Sequence, residues 1–534
     1  MLIFLLFYYI YFIYRSMESL HMLQQNLYNE NNRYLKWVGK NLKKVFVVWD
    51  FLPVLFFITM LFIEDKSIMD FTLVASSMIY IYCIYLEYRK NRESQNKIPL
   101  KVTNRIKRLF FTIFTLYVGP SIALVRISDN TILAIILLIV SLMVAFIYYV
   151  IYLALVINTP IDKLEKYYYL NKAKNKLKKL NNLKVVGITG SYGKTSSKNV
   201  VNELLSSEFI TRPSPLNYNT LNGLMITINN KLDKFDEIFI AEMGAYVQGE
   251  IEEICNLVKP EYGILTTIGE AHLETFKSKE NIQKAKFELI ENLNPNGVGI
   301  LNCDDPYQVN YDLKNPVKIV WIGIENKEKA DFYAENIRVD NTGMSFDCVF
   351  NDERITLRTK LLGKHNIYNI LAGVALAVNL SIPYDEIVSS VASLIPVEHR
   401  LELKKNGIFY QLDDAYNSNP SGAKSALEVL SLMDGDKCVV TPGMIELGEK
   451  EEEENYNFGK NISEVADYVI LVGKNRTKDI YRGLIDNNFN KDNIFILNNV
   501  VDAYKIVNSL TSNERKMYAL FENDLPDIYT EGEK

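Results

Sequence analysis

Histidine and cysteine are scarce in this 534-residue chain: four of the first and five of the second. The cysteines (Cys83, Cys255, Cys303, Cys348, Cys438) are scattered with no C-x-x-C pair, which argues against a zinc site and a disulfide framework and fits a reducing compartment. There is no internal repeat and no low-complexity tail, only a solvated acidic run at Glu449–Glu454. No Leu-Ser-Gly-Gly-Gln-type signature of a transport ATPase occurs. No Ala-x-Ala-like cleavage site follows the first apolar stretch, which argues against a cleaved leader. The net charge is −5, and nucleic acid is not an expected partner. The length exceeds one compact core and predicts two to four domains.

The average composition conceals a sharp asymmetry. Before about residue 158 the chain is a series of apolar spans, Leu2–Tyr14, Val45–Ile63, Met69–Leu86, Leu109–Val125 and Thr131–Ile157. The last four meet or approach the ~18–20 apolar residues that a bilayer requires, and the first is short. Lys and Arg crowd the connections after the first and third spans (Arg15 to Lys44, Arg89 to Arg108), while the other two turns hold one basic residue each. The positive-inside rule then places the N-terminus outside and everything after Ile157 in the cytoplasm. Asp50, one turn from Lys43 and Lys44, reads as interfacial. Residues 159–183 form a Lys-rich linker, either a basic helix on an anionic leaflet or a solvated connection. A multi-pass region over 1–158 and a cell-membrane location are therefore expected.

The second half is organised around Val185-Val-Gly-Ile-Thr-Gly-Ser-Tyr-Gly-Lys-Thr-Ser-Ser197. An apolar strand breaks into a glycine-bearing turn and then into a helix, the geometry that turns backbone N–H groups and a helix N-terminus towards phosphate. Gly190, Ser191, Gly193, Lys194, Thr195 and Ser196 are the predicted nucleotide cradle. Lys194 reaches the terminal phosphates, and the Thr195 hydroxyl ligates Mg²⁺. The glycine spacing is not the strict G-x-x-x-x-G-K-[ST], since position 188 is Ile. ATP and Mg²⁺ are the expected cofactors.

Strand-like runs then alternate with helical stretches, predicting a parallel sheet with covered faces. Phe332 to Leu362 instead alternates with turn signals and reads as a small antiparallel insertion. A second α/β block begins near Leu401, joined around Pro396–Arg400. Ligand-presenting positions lie at the carboxyl ends of strands. Glu242 ends Ile238-Phe-Ile-Ala241 and is placed as a Walker-B-like Mg²⁺ carboxylate. His272 follows another strand and is either a metal ligand or a structural histidine. Asp413 to Pro420 suits a second substrate, although Asn-Pro is also turn chemistry.

Seven stretches stand in one order: Thr189–Thr195, Ala241–Ala245, Gly269–Glu274, Asn302–Pro306, Gly363–Asn369, Glu398–Arg400 and Asp413–Pro420. Together they resemble the Mur ligases, ATP-dependent amide ligases of peptidoglycan synthesis, and are most similar to the D-alanyl-D-alanine-adding type. The resemblance implies an α/β fold: a P-loop central domain over 184–398 and a Rossmann-like domain over 399–534, preceded by transmembrane helices where the family has a soluble UDP-sugar domain. It also implies that Lys286 is a lysine open to carbamylation that bridges a second Mg²⁺, with Glu242 and His272 completing the metal sites. Asn302, His365, Asn366 and Asn369 fall on the nucleotide side. Arg400 is implied at the γ-phosphate, Asp414 at the ribose, and Asn417 and Asn419 near the incoming amine. The implied partners are a small-molecule or lipid-linked wall precursor and an amino acid or dipeptide, joined through an acyl phosphate with formation of ADP. A membrane-bound polyglutamate-type ligase and a pseudomurein peptide ligase are the rival readings, with a transport ATPase behind them.

Overall fold

A computed structural model of the chain describes residues 1–62, 65–93, 99–126, 130–216, 218–269, 271, 273–340, 343–396, 398–415, 418–445, 447–512 and 515–523. The chain divides into two compact units, Met1–Glu165 and the chain from Lys166 onward.

The first unit is helical. Its core is built from aromatic side chains with polar tips: the hydroxyls of Tyr8, Tyr80 and Tyr117 donate to Val140 O, Ser141 Oγ and Met143 O. Burying a tyrosine ring is favourable only when its hydroxyl finds such a partner. The apolar spans map unevenly onto helices. Val45–Ile63 resolves into the short pieces Leu42–Val45, Val48–Asp50 and Phe51–Met60. Thr131–Ile157 is divided between helices Asn130–Ala145 and Ile147–Leu177. Yet Leu133, Leu137, Val140, Val144, Ile147, Ile151 and Ala154 are all buried, at alternating steps of four and three. One apolar stripe therefore runs straight through the interruption at Phe146. By length and composition two stretches, Ser67–Arg89 and Ile147–Leu177, are able to cross a membrane, and Val48–Met60 and Thr131–Ala145 are shorter apolar helices.

Asp50, read from the sequence as interfacial, is 1% exposed. It accepts from Tyr11 Oη and pairs at 3.4 Å with Arg15, itself fully buried, whose guanidinium also donates to Val45 O. Neighbouring lysines suggested the interface, but a partner 35 positions away supplies the compensating charge that burial demands.

In the second unit the Lys-rich linker is helical as far as Leu177, and Ala173 is buried with Leu224, Ile228 and Phe239. The nine-stranded sheet that follows comprises β1 (Lys184–Thr189), β2 (Thr211–Pro213), β3 (Ile238–Glu242), β4 (Tyr262–Leu265), β5 (Val298–Asn302), β6 (Lys318–Gly323), β7 (Phe332–Asp340), β8 (Gly343–Phe350) and β9 (Glu353–Thr359). Their order is β2-β3-β1-β4-β5-β6-β7-β8-β9, parallel as far as β7 and antiparallel beyond it. The predicted antiparallel insertion thus extends the same sheet. Helices cover both faces: Val186 and Ile188 pack with Val200, Leu204 and Ile370, while Val185 packs on the other side with Leu224 and Leu289.

A second sheet holds β10 (Glu402–Asn406), β11 (Phe409–Asp414), β12 (Asp436–Thr441), β13 (Tyr468–Val472), β14 (Ile494–Leu497) and β15 (Met517–Glu522), in the order β10-β11-β15-β12-β13-β14. Only β10 is antiparallel to its neighbour. The sequence pattern gave ten of these fifteen strands as parallel-sheet runs; β2 and β10, short and mixed in polarity, carried no such signal.

Candidate functional site

β1 lies between β3 and β4 although each is distant in sequence, so the strand order reverses at β1 and leaves a crevice beyond its carboxyl end. The predicted cradle occupies that crevice. Gly190 has φ +152° and Gly193 φ +81°, and a Cβ on Gly190 would lie 1.9 Å from Thr266 Oγ1. The turn therefore requires glycine at that point. The β4 loop clamps it: Ser191 N donates to Thr267 O, Ser191 Oγ accepts from Gly269 N, and Thr266 Oγ1 donates to Tyr192 O. The helix Lys194–Leu205 starts directly after Gly193, with Ser196 in its first turn.

Lys194 lies across this loop, its ammonium donating to Gly190 O at 2.7 Å and Ser191 O at 3.0 Å. Burial pushes its pKa down to about 8; Glu242 opposes that shift, and the Arg400 charge adds to it. Thr195 Oγ1 lies 3.1 and 3.2 Å from the two oxygens of Glu242, which is 2% exposed at the end of β3. A hydroxyl and a carboxylate facing one point are hard oxygen donors of the kind Mg²⁺ takes while keeping waters and phosphate oxygens as its other ligands. The residues present fit that ion. Among the described residues no group of three His, Cys, Asp or Glu forms an all-protein metal cage. His272 lies outside the described residues.

Two residues at this carboxylate escaped the sequence reading. Lys198, 3% exposed, pairs with Glu242 Oε2 at 2.9 Å, and Asn219 Nδ2 donates to Oε1 at 3.2 Å. Lys198 stands one helical turn after Lys194, so i, i+4 spacing could have exposed it. Asn219 comes from a loop with no local signal. Lys286 is 2% exposed on the helix Lys279–Glu291, with its ammonium 5.5 Å from the centre of the Phe276 ring. Burial, reinforced by the charge of Lys194, pushes its pKa down to about 7.

The remaining predicted residues divide into two groups. Asn302 belongs to a structural frame: its Oδ1 accepts from Asp304 N, and its own N donates to Gln308, whose amide reaches Thr266 O behind the cradle. Asn369 Oδ1 accepts from Ser197 Oγ at 2.6 Å, and Asn369 Nδ2 donates to Asn366 Oδ1, which ties the helix Lys364–Asn379 to the cradle helix. The other group lies towards the second sheet. His365 Nδ1 and Ser425 Oγ are 3.0 Å apart. Arg400 stands between two left-handed residues, His399 (φ +60°) and Leu401 (φ +50°). Its charge acts on Lys194, Asp414 and Glu522 together. Asp414 Oδ1 accepts from Leu401 N at 3.0 Å. Asn419 caps the helix Pro420–Ser431 through Gly422 N, and Asn417 lies outside the described residues.

Residues 188–377 match the Mur ligase middle domain, and residues 399–516 match the Mur ligase glutamate ligase domain, together more than half of the chain. UDP-N-acetylmuramoyl-tripeptide–D-alanyl-D-alanine ligases are similar in sequence. That of Escherichia coli is 34% identical over 54% of this chain and 65% of its own length, and that of Bacillus subtilis is 31% identical over 54% and 63%. The chain thus spans less than two thirds of the length of these curated relatives. Among solved structures, MurF from Acinetobacter baumannii aligns with a TM-score of 0.61 at 25% identity, over 67% of this chain and 77% of that one. MurF from Thermotoga maritima in complex with ADP aligns with a TM-score of 0.60 at 25% identity, over 67% and 81%.

Proposed function

Because the chain belongs to the Mur ligase family, we propose that it is an ATP-dependent, ADP-forming amide ligase of cell-wall precursor synthesis. In this reading it adds D-alanyl-D-alanine or a similar amine to the carboxylate of a muramoyl-peptide-type precursor, as the names of its relatives state for those proteins. The observation that supports the reading is the Thr195–Glu242 pair beside Lys194 on the glycine cradle, with Arg400 near enough for its charge to act on Lys194 and Lys286 near enough to feel the charge of Lys194.

The substrate carboxylate attacks the γ-phosphorus of ATP, the bond to the β-phosphate oxygen breaks, and ADP leaves behind an acyl phosphate. The amine then attacks the acyl carbon, loses a proton and expels phosphate, leaving the amide. Negative charge builds in both steps, so donors fixed in advance do most of the work. The cradle N–H groups and Lys194 bind the phosphates, and Arg400 adds charge from the hinge. Thr195 and Glu242 would hold Mg²⁺, which when bound neutralises phosphate oxygens. Lys286, whose lowered pKa makes the neutral amine accessible near pH 7, has the protonation state that carbamylation requires. No cysteine or serine is needed as a covalent nucleophile.

We further assign residues 1–158 to a membrane region, 159–183 to a basic linker, 184–398 to the ATP-binding domain and 399–534 to the C-terminal domain. The long apolar stretches Ser67–Arg89 and Ile147–Leu177 and the clustered basic connections support a multi-pass anchor in the cell membrane, with the ligase domains in the cytoplasm. Reporter fusions after Lys66 and after Lys179 are expected to read outside and inside respectively, and the reverse would remove this topology. The ligase reading is tested by phosphate release from purified protein in detergent. Release is expected only when ATP, a muramoyl-peptide carboxylate and a D-alanyl-D-alanine-type amine are all present. Phosphate release indifferent to both acceptors would overturn the reading.

A further inference from the structure

The last described strand ends in Leu520-Phe-Glu522, with Asn523 next, a segment that the reaction above leaves without a role. Glu522 closes β15 with no exposed surface. Its partner across the parallel ladder is Asp414, the last residue of β11. Residues in register on neighbouring strands point to the same face, so two carboxyl groups end side by side at the carboxyl ends of these interior strands, nearest the hinge. Glu522 Oε1 accepts from Ser418 Oγ at 2.6 Å, and Asp414 interacts with the same carboxyl group. The next residue fastens the corner: Asn523 N donates to Asp414 O at 3.2 Å, and its side-chain amide donates to Gly443 O at 2.6 Å.

Asp414 in turn holds the hinge through its 3.0 Å bond from Leu401 N. Leu401 and His399 both have positive φ, a region that L side chains enter only under strain. A kink of that kind persists only where its surroundings fix it. Here the Leu401 side chain is buried, Asp414 accepts its N–H, and Asp413 Oδ2 receives His399 Nδ1 at 2.8 Å and Lys404 Nζ at 3.1 Å. Arg400 is the residue this kink aims.

We propose that Glu522 is a positioning residue for Arg400, acting through Asp414 to hold the guanidinium where it reaches the phosphate cradle. The charges around the pair fit that role. Burial pushes both carboxyl groups up, Asp414 to about 6 and Glu522 well beyond the usual carboxylate range; Arg400 pulls both down, the hydrogen bond from Glu522 lowers Asp414 further while Asp413 raises it, and the charge of Asp414 adds to the rise of Glu522. At neutral pH the pair holds one proton and one negative charge, the charge that faces Arg400. The inference rests on the ligase reading.

The test uses full-length protein in detergent with Glu522→Gln and Glu522→Ala, comparing ATP affinity, kcat, the thermal midpoint and the pH profile of kcat. Wild type should lose activity as pH falls through about 6, where Asp414 is neutralised. Glu522→Gln replaces the carboxyl O–H with a weaker amide donor, so the hydrogen bond that lowers Asp414 weakens and the acid limb should move to higher pH. Its kcat at pH 7.5 should fall ~10-fold with ATP affinity within ~3-fold of wild type. Glu522→Ala should lose more, since Ser418 also loses its acceptor. An unchanged kcat and acid limb in Glu522→Gln would overturn the inference alone. Losses in both variants that only follow the thermal midpoint would also overturn it, in favour of a purely structural role. An inactive wild type would overturn the ligase reading and this inference with it.

Discussion

The two sheets of the second unit place polar groups at strand ends by opposite means. At the end of β1 the work is done by backbone: two positive-φ glycines and a helix start, with Lys194 folded across them. At the ends of β11 and β15 it is done by side chains, Asp414 and Glu522 lying against a hinge whose residues are bent out of their preferred region. A backbone cradle binds a shape shared by all nucleotides and needs no partner domain. A side-chain corner is assembled from three segments far apart in the chain, so it can transmit the position of one domain to the other. In the proposed mechanism, binding belongs to the first of these strand ends and commitment to reaction to the second.

Substitutions at the two edges should therefore fail differently. The largest expected effect is at the cradle: Lys194→Ala and Glu242→Ala should each lower turnover by two or more decades, about 3 kcal/mol of transition-state stabilisation, with protein level nearly unchanged. Turnover like wild type in either would remove the proposed mechanism. Arg400→Lys should bind ATP within a few-fold of wild type yet form product at least ~10-fold more slowly, because a point charge does not replace a planar fork. Equal loss of binding and turnover would erase the distinction between the edges.

Smaller effects sharpen the cradle side. Lys286 has a folded pKa of about 7 against an ordinary 10.5, so between those values the unfolded chain binds more protons and stability rises with pH. Denaturation at pH 7 and pH 9 should show that rise in wild type and a flatter dependence in Lys286→Met; parallel curves would mean that the ammonium is not held in a desolvated site. Ser197→Ala deletes the buried bond to Asn369 and should cost about 1–2 kcal/mol of stability, read by chemical denaturation, with little change in ADP affinity. A large fall in affinity would show that the helix pair shapes the cradle as well as supporting it.

How far the sequence could be read follows the same division. The cradle was legible because its parts are consecutive: an apolar strand, glycines and a Lys-Thr pair within one short stretch. Glu242 was legible because it ends an unbroken apolar run. Asn219 and Glu522 were not, since each acquires its role only from a neighbour brought in by folding, and Lys198 offered only its i, i+4 spacing from Lys194. The Arg15–Asp50 pair was hidden for the same reason, and the lysines beside Asp50 pointed the wrong way.

By itself, then, the sequence determined what local periodicity and consecutive chemistry can specify: a strongly apolar first region, the alternation of strands and helices, the nucleotide cradle and the resemblance to the Mur ligases. Tertiary structure decided which strand lies beside which, and with it the register that sets Asp414 against Glu522 and the helix pair that joins Ser197 to Asn369. The physical reason is that a backbone conformation is chosen by a residue and its immediate neighbours. The pairing of buried charges and the alignment of strands depend instead on contacts between segments that only folding brings together, 35 positions apart for Arg15 and Asp50 and 172 for Ser197 and Asn369.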